Sequence, residues 1–332
     1  MMDKLLEVKD LHTYFPTKRG VIKAVNGASF SIERGKTLGI VGESGSGKSI
    51  SAMSALRILD NPGYIHSGSI TFDGREITEL SEKEMRKIRG NDISMIFQEP
   101  MTSLNPVFKL ERQIGEVLRL HKGMSKSQAR KKSIEMLDQV GIPRPEQVID
   151  NYPFQLSGGM RQRAMIAMAL ACEPKMLIAD EPTTALDVTI QAQILKLMND
   201  LKRDFNTSIM FITHDLGVIN EMADEVVVMY AGQIVERAPA NKIFGGGNKY
   251  SHPYTEGLLK SIPSLEDDRE ELDVIPGNVP HPLNLPKGCK FAPRCPYATA
   301  KCFREEPTLD DVSKSQSVRC FYPVKGVRSS GQ

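Results

Sequence analysis

Short apolar runs separated by polar turns dominate the first part of the chain. The run at residues 37–41 precedes a glycine-rich turn, after which Ala52, Leu56 and Leu59 recur at helical spacing. Further apolar runs end in polar residues, as buried parallel strands do when they deliver side chains to a site; they span residues 94–97, 176–179 and 209–213. This order of strand, glycine turn, helix and strand predicts an α/β core.

A second pattern flanks this core. Apolar and polar positions alternate over residues 7–15 and 21–32, which predicts antiparallel strands. Residues 225–236, with Ala231 and Gly232 at the centre, predict a hairpin. We therefore expect a small antiparallel β subdomain beside the parallel strands.

The middle of the chain carries a helical pattern. Ser125 and Gln128 have the spacing of a capping box. Gly141, followed by Pro143, ends the helix that this box begins. We predict a helical insert subdomain at about residues 108–155.

The composition changes after residue 244. Glycines, prolines and an acidic run indicate a linker at residues 245–274, and residues 275–332 are rich in proline and cysteine with few long apolar runs. The predicted organisation is therefore a main domain at 1–244, a linker, and a small Cys-rich C-terminal extension that lacks a conventional core.

The charge balance limits the possible partners. Lys and Arg total 43 against 41 Asp and Glu, a net charge of +2, so no basic excess indicates nucleic acid as the main partner. No window approaches the roughly 18 apolar residues that a membrane span needs, and no apolar stretch follows a basic start. The sequence predicts a chain that neither spans a membrane nor is exported.

The glycine-rich turn fits a phosphate-binding motif. Residues 42–49 read Gly42-Glu43-Ser44-Gly45-Ser46-Gly47-Lys48-Ser49 and match the pattern G-x-x-x-x-G-K-[ST]. Its glycines let backbone N–H groups close around phosphates at a helix N-terminus. Lys48 is expected to hold the β- and γ-phosphates, and Ser49 a magnesium ion. A plain Gly-rich turn is the structural alternative, which the spacing disfavours.

An apolar strand later in the chain ends in two adjacent carboxylates. Asp180 and Glu181 follow the run at 176–179, and successive strand residues point to opposite faces. Asp180 suits magnesium and Glu181 suits an attacking water. Such a string alone is more often a simple strand end, but the upstream phosphate loop favours the catalytic interpretation.

The segment between these motifs resembles a family signature. Residues 156–163 read Leu156-Ser157-Gly158-Gly159-Met160-Arg161-Gln162-Arg163, which resembles the LSGGQ motif of ABC ATPases with Met160 in place of the usual Gln. The resemblance implies a P-loop NTPase core of ABC ATPase type that binds and hydrolyses ATP with Mg²⁺. It also implies that Ser157, Gly158 and Gly159 contact nucleotide held by a second ATPase subunit.

The same resemblance assigns further site residues. Gln98 is implied as the residue that senses magnesium and water, Asp187 as the D-loop aspartate, and His214 as the histidine that contacts the γ-phosphate. An aromatic residue upstream of the first hairpin is implied to stack on adenine. Phe15 matches that position best, and the adjacent Tyr14 is a second candidate.

The C-terminal part narrows the resemblance. Residues 275–280 and 288–295, together with 98–106, resemble the oligopeptide, dipeptide and nickel importer ATPases. This implies a peripheral ATPase subunit at the cytoplasmic face of the cell membrane that energises uptake of dipeptides or oligopeptides. Nickel as cargo stays open.

The implied partners follow from that subfamily. They are a second ATPase subunit, identical or homologous, two transmembrane permease subunits and, indirectly, an extracytoplasmic peptide-binding protein. A soluble ABC protein acting on DNA or the ribosome is the alternative from another class. The single cassette, the short insert and the neutral charge disfavour it.

Cysteines cluster near the C-terminus. Cys289, Cys295, Cys302 and Cys320 are separated by five, six and seventeen residues, while Cys172 lies apart. Structural zinc usually prefers tighter pairs, and cysteines at looser spacing can hold an iron–sulfur cluster, as some members of the resembled family do. We predict a [4Fe–4S] cluster, with Zn²⁺ or free thiols as alternatives.

Overall fold

The computed structural model describes residues 3–98, 103–183, 187–245, 251–261 and 274–323. Most of the predicted linker falls outside these ranges, as do residues 99–102 and 184–186 of the predicted motifs. Within the described part, no helix is both long enough and apolar enough to cross a bilayer.

The described part of the chain contains twelve strands, numbered in chain order. They are β1 (Lys4–Thr17), β2 (Gly20–Glu33), β3 (Thr37–Val41), β4 (Tyr64–Phe72), β5 (Arg75–Glu76), β6 (Ile93–Ile96), β7 (Met176–Asp180), β8 (Ser208–Thr213), β9 (Glu225–Tyr230), β10 (Gln233–Pro239), β11 (Asp310–Ser313) and β12 (Gln316–Val318).

The helices are also numbered in chain order. They are α1 (Lys48–Leu56), α2 (Glu82–Ile88), α3 (Leu110–Lys122), α4 (Lys126–Gln139), α5 (Pro145–Val148), α6 (Gly158–Leu170), α7 (Val188–Phe205), α8 (Leu216–Met222), α9 (Ala240–Phe244), α10 (Pro253–Lys260) and α11 (Ala300–Arg304). Single 3₁₀ turns occur at Pro153–Gln155 and Ala292–Arg294.

The chain forms two compact units. The first comprises Met1–Leu5, Ile32–Lys36 and Glu79–Ile212, and the second comprises Leu6–Ser31, Thr37–Thr78 and Thr213–Gln332. Each unit therefore combines segments from distant parts of the sequence.

Parallel strands β6, β7 and β8 form the centre of the first unit. Ile93 pairs with Met176, which pairs in turn with Ser208. Every residue of β7 and β8 is buried, as expected for parallel strands that read as continuous apolar runs. The three runs predicted at these positions agree with the observed strands to within one residue.

Helices α3 to α6 also lie in the first unit. The Ser125 hydroxyl accepts the Gln128 N–H and the Gln128 side chain accepts the Ser125 N–H, so the predicted capping box begins α4. Helices α3 and α4 pack closely at Gly115, where an added Cβ would lie 3.8 Å from the Ala129 Cβ. Helices α3, α4 and α5 fall within residues 108–155, the range predicted for the insert, whereas α6 begins after it.

The second unit contains two sheets. One has the strand order β2-β1-β4-β5, and β1 pairs with β4 in antiparallel fashion. In the other, β3 pairs in parallel with β9, and β9 forms the predicted hairpin with β10. Ala231 and Gly232 both have positive φ, at 47° and 82°, as the tight hairpin turn requires.

Two details differ from the sequence predictions. Helix α1 ends at Leu56 because Arg57 adopts a left-handed conformation, so Leu59 lies outside the helix. Strand β12 pairs with β10 and β11 with β12, although the sequence predicted no strands there. These strands are too short for a period-two pattern to reveal them.

The C-terminal segment, defined here as residues 274–323, gains its packing from aromatic residues earlier in the second unit. Phe291 lies with its ring centroid 5.3 Å from that of Tyr230 and 5.4 Å from that of Tyr254. All three side chains are at most 2% exposed. An aromatic cluster thus supplies the core that the segment's own sequence lacks.

Candidate functional site

The phosphate loop connects β3 to α1, as the sequence predicts, and two of its glycines are required by close backbone contacts. Gly47 has a φ of 99°, and an added Cβ would lie 2.5 Å from the Ala24 carbonyl oxygen. Gly42 has a φ of 152°, and its Cβ would overlap the Met229 carbonyl oxygen. Any side chain at either position would force the loop out of this shape.

The loop collects groups suited to phosphate. Lys48 opens α1 and donates from Nζ to the carbonyl oxygens of Gly42, at 2.6 Å, and Glu43, at 3.1 Å. The Ser46 hydroxyl is buried and has no hydrogen-bond partner in the described structure. Ser49 follows in the first turn of the helix. A cation, a hydroxyl and a helix N-terminus therefore meet here, which favours a bound anion.

A cavity of about 520 Å³ opens beside the loop. Phe15, Lys23 and Ile50 contribute to it, together with Ser44, Gly45 and Gly47 of the loop. Residues of the C-terminal segment complete the lining: Val279, Pro280, His281, Pro282 and Leu285. The cavity is thus largely apolar, carries the phenyl ring of Phe15, and adjoins the phosphate loop.

The two aromatic candidates occupy different places. Phe15 lines this cavity. Tyr14 is 9% exposed and stacks on His66 with ring centroids 4.6 Å apart. Burial raises the pKa of Tyr14, with further contributions from Tyr64 and Asp10. This geometry favours Phe15 over Tyr14 for contact with a bound base.

Two adjacent carboxylates of the first unit, Asp180 and Glu181, lie at the end of β7. Asp180 is its last residue and is 4% exposed. Glu181 has a φ of 47°, a strained conformation for this residue type that tends to occur at functional sites. Its N–H donates to the Ile212 carbonyl oxygen at 2.9 Å. Gln98 Nε2 donates to Glu181 Oε2 at 3.0 Å, so the structure brings these two predicted residues together.

The signature segment begins helix α6. Ser157 is the N-cap residue, and its hydroxyl accepts the Met160 N–H at 3.3 Å. Ser157 and Gly158 are exposed, and Gly159 is half-buried. These groups are therefore accessible at a helix N-terminus.

The remaining predicted residues lie just outside secondary structure. Asp187 caps α7 by accepting the Ile190 N–H at 2.9 Å and is exposed. His214 is also exposed and directly follows β8. His214 and the phosphate loop belong to the second unit, whereas Gln98, Asp180, Glu181, Ser157 and Asp187 belong to the first.

The four C-terminal cysteines, which the sequence predicts as cluster ligands, lie around one cavity. Cys289, Cys295, Cys302 and Cys320 line one cavity of about 20 Å³. All are free thiols, and the distant Cys172 is buried elsewhere. Burial raises the pKa of Cys320 to about 11, and the three neighbouring thiols act in the same direction.

These four thiols do not form a ready ligand set. Over the described ranges, no group of three or more His, Cys, Asp or Glu side chains is arranged to hold a metal ion. A 20 Å³ cavity has room for about one water molecule. The thiol geometry therefore matches the [4Fe–4S] cluster or zinc in ligand number but not in arrangement.

Sequence reasoning missed the contribution of the C-terminal segment to the phosphate loop. Arg294 forms an ion pair with Glu43, with 2.7 Å between Nη1 and Oε2. Tyr254, from α10, accepts the Glu43 backbone N–H at 2.8 Å. The only signal in the sequence was that Arg294 belongs to the quoted motif at 288–295.

Comparison with known proteins identifies the class to which this fold and these motifs belong. A family model described as ABC transporter matches residues 25–184. A second, described as the oligopeptide/dipeptide transporter C-terminal region, matches residues 235–302. Both matches agree with the resemblance found in the motifs.

Characterised relatives match nearly the whole chain. The oligopeptide transport ATP-binding protein AppD of Bacillus subtilis is 54% identical and covers 99% of this chain and 100% of its own length. OppD of Salmonella typhimurium is 53% identical, and the match covers 97% of this chain and 94% of OppD. The dipeptide transport ATP-binding protein DppD of Escherichia coli is 47% identical, and the match covers 96% of this chain and 97% of DppD. The chain belongs to the family of ABC transporter ATPases, among the oligopeptide and dipeptide transport ATP-binding proteins.

Solved structures agree with the fold. A post-hydrolysis dimer of the ATP-binding cassette MJ0796, bound to ADP and phosphate, superimposes with a TM-score of 0.64 at 26% identity, covering 71% of this chain and 98% of that one. The CbiO1 protein of Clostridium perfringens gives a TM-score of 0.62 at 28% identity, and the match covers 73% of this chain and 91% of CbiO1. The α/β cassette fold and the ATPase class predicted from the sequence are therefore confirmed.

Proposed function

We propose that this chain hydrolyses Mg-ATP to energise the import of oligopeptides or dipeptides. The observation that carries the proposal is the phosphate loop, with its cation and unpartnered hydroxyl, in a chain that matches peptide-transport relatives over almost all of its length. The apolar cavity beside the loop has the composition expected for an adenosine site.

The phosphate end of the nucleotide is assigned to the loop. Lys48 supplies positive charge to the β- and γ-phosphates, and the N-terminus of α1 adds its dipole. Phe15 stacks on the adenine at the other end. Ser49, Gln98 and Asp180 offer the hydroxyl, amide and carboxylate oxygens that Mg²⁺ accepts.

Glu181 is assigned as the general base. Its carboxylate accepts the Gln98 amide, which fixes its orientation. An oriented carboxylate can polarise a water molecule for attack on the γ-phosphate. His214, exposed after β8, is assigned to contact that phosphate, and Asp187 is assigned to the D-loop.

The ATP site is proposed to be shared between two subunits. Ser157, Gly158 and Gly159 lie at an accessible helix N-terminus, which is suited to the γ-phosphate of nucleotide on a second ATPase subunit. The partner is an identical or homologous chain. Two permease subunits would hold the pair at the cytoplasmic face of the membrane, with a peptide-binding protein delivering the cargo. The dimeric structure of the MJ0796 cassette supports this arrangement by analogy.

Glu181→Gln tests the catalytic assignment. The amide keeps the shape of the side chain but cannot accept a proton, so kcat should fall about 10²- to 10⁴-fold. ATP affinity should remain near that of the wild type because the phosphate loop is untouched. The measurements are steady-state ATPase assays and equilibrium nucleotide binding. Near-normal turnover in this variant would remove Glu181 from the catalytic role.

Uptake itself requires the complete transporter. Labelled oligopeptide should accumulate in vesicles that contain the permeases, the binding protein and this chain only when ATP is present. Glu181→Gln should abolish that accumulation. ATP-dependent uptake of another solute, with no peptide uptake, would contradict the proposed cargo.

The cysteine cavity is proposed to hold a [4Fe–4S] cluster, with Zn²⁺ as the alternative and free thiols as the third state. The convergence of four thiols on one cavity supports it. Binding would require the thiols to lose their protons, and ligation would then stabilise this Pro-rich segment. Iron, sulfide and zinc analysis of anaerobically purified protein decides among the three. One equivalent of zinc without iron would exclude the cluster.

A further inference from the structure

Glu43, the second residue of the phosphate loop, is held through its side chain by a residue 251 positions away. Arg294 donates from Nη1 to Oε2 at 2.7 Å and from Nη2 to Oε1 at 3.0 Å. The Arg294 side chain is only 4% exposed. Two parallel charge-assisted hydrogen bonds from this buried guanidinium fix both the distance and the orientation of the Glu43 carboxylate, which is 31% exposed.

The backbone of Glu43 is held as well. Its N–H donates to the Tyr254 hydroxyl at 2.8 Å. Tyr254 is fully buried, with its ring 4.7 Å from Tyr230 and 5.4 Å from Phe291. The Glu43 N–H is thus committed to a rigid neighbour rather than to a ligand in the loop.

Arg294 is fixed from its other side. Its Nε donates to the Pro276 carbonyl oxygen at 2.9 Å, and Nη2 donates to that of Ile275 at 3.3 Å. It ends the 3₁₀ turn Ala292–Arg294. Such a pre-positioned guanidinium acts as a fixed anchor because little side-chain freedom remains to be lost.

Arg294 is connected through Glu43 to Lys48, the lysine assigned to the phosphates. Lys48 Nζ donates to the carbonyl oxygens of Gly42 and Glu43. A shift of Glu43 therefore moves the acceptors that orient Lys48.

We infer that Arg294 of the C-terminal segment and Tyr254 of α10 are positioning residues for the phosphate loop, so that these two elements together set the affinity of this chain for nucleotide. The inference rests on the proposed ATP site and adds a second role for the segment beyond the wall it contributes to the cavity. Neither residue lines the cavity beside the loop, and both act through Glu43.

The test measures binding of the non-hydrolysable analogue AMP-PNP with Mg²⁺ to the full chain. Arg294→Met keeps the length of the side chain but removes its charge and donors. The dissociation constant should rise about tenfold, within the range usual for coupling between sites. Tyr254→Phe should weaken binding in the same direction because only the hydroxyl is lost. Arg294→Lys, which retains the charge with fewer donors, should fall between the wild type and Arg294→Met.

A matched control uses another arginine of the same segment. Arg304 is exposed and donates to the Ala300 carbonyl oxygen of its own helix. Arg304→Met should leave AMP-PNP affinity unchanged. Thermal unfolding of every variant checks the fold, and if Arg294→Met does not fold, Tyr254→Phe decides the question.

A double-mutant cycle separates positioning from general stability. Glu43→Gln combined with Arg294→Met should bind no more weakly than Arg294→Met alone, because both changes break one interaction. In ATPase assays KM should rise while kcat stays within about twofold, as expected for lost ground-state binding. Strictly additive effects, or unchanged affinity in both folded Arg294→Met and Tyr254→Phe, would overturn the inference. Failure of the wild type to bind AMP-PNP would instead overturn the proposed function on which it rests.

Discussion

His252 gives the second unit a defined sensitivity to acid. The side chain is 1% exposed and caps helix α10, where Nδ1 accepts the Tyr254 N–H at 3.0 Å. Burial lowers the pKa of His252 to about 3, although a backbone hydrogen bond at Arg319 acts in the opposite direction. The imidazole is therefore neutral in the folded chain at physiological pH.

The sign of the effect follows from proton binding. The unfolded chain protonates this histidine at its usual pKa of about 6.5, whereas the folded chain resists protonation until about pH 3. The contribution of His252 to the free energy of unfolding is therefore complete above about pH 6.5 and is lost progressively as the pH falls from there toward 3. Between about pH 7.5 and about pH 5 the loss is about 2 kcal/mol.

The measurable consequence is a shift in melting temperature. For 332 residues and an unfolding entropy of roughly 2 cal/mol/K per residue, 2 kcal/mol corresponds to about 3 °C. His252→Asn supplies the comparison, because asparagine also caps helices but does not titrate. The variant should lose about 3 °C less than the wild type between those two pH values.

Differential scanning fluorimetry of both proteins at both pH values provides the assay. Other titrating groups are common to the two proteins and cancel in the comparison. If the melting temperatures of the wild type and His252→Asn fall by the same amount on acidification, His252 is not a buried neutral base in the folded chain.

Two further predictions concern the nucleotide site. Gly47→Ala should abolish nucleotide binding with little change in overall fold, because the added Cβ would lie 2.5 Å from the Ala24 carbonyl oxygen. Equilibrium binding measures the nucleotide affinity of this variant, and circular dichroism checks its fold. Near-normal affinity would contradict the required loop geometry. Phe15→Ala should weaken ATP binding by about 1–3 kcal/mol, the usual value for base–aromatic stacking, whereas Tyr14→Phe should leave it unchanged; the reverse order of effects would assign the stacking to Tyr14.

Local motifs could be recognised from the sequence because their chemistry lies within a few consecutive residues. The phosphate loop requires its glycines and Lys48 at fixed spacing between a strand and a helix, and the structure places it between β3 and α1. The cap at Ser125 is equally local, since its partner Gln128 is only three residues away. Such features depend on backbone geometry over one or two turns and need no knowledge of distant packing.

Other features depend on residues that are neighbours only after folding. The sequence ranked Phe15 first and kept Tyr14 as a second candidate, and only the fold shows that Phe15 lines the cavity while Tyr14 stacks on His66. The four spaced cysteines predicted a [4Fe–4S] cluster, but only the packing of the C-terminal segment places them around one cavity.

The sequence by itself determined that this chain is an ABC-type ATPase, because the phosphate loop and signature are short, contiguous and chemically specific. Only the tertiary structure showed that Arg294 and Tyr254 hold Glu43. An arginine in a Pro- and Cys-rich segment carries no local sign of its partner. Contacts across 251 residues are decided by the packing of β9, α10 and Phe291, which a one-dimensional pattern does not encode.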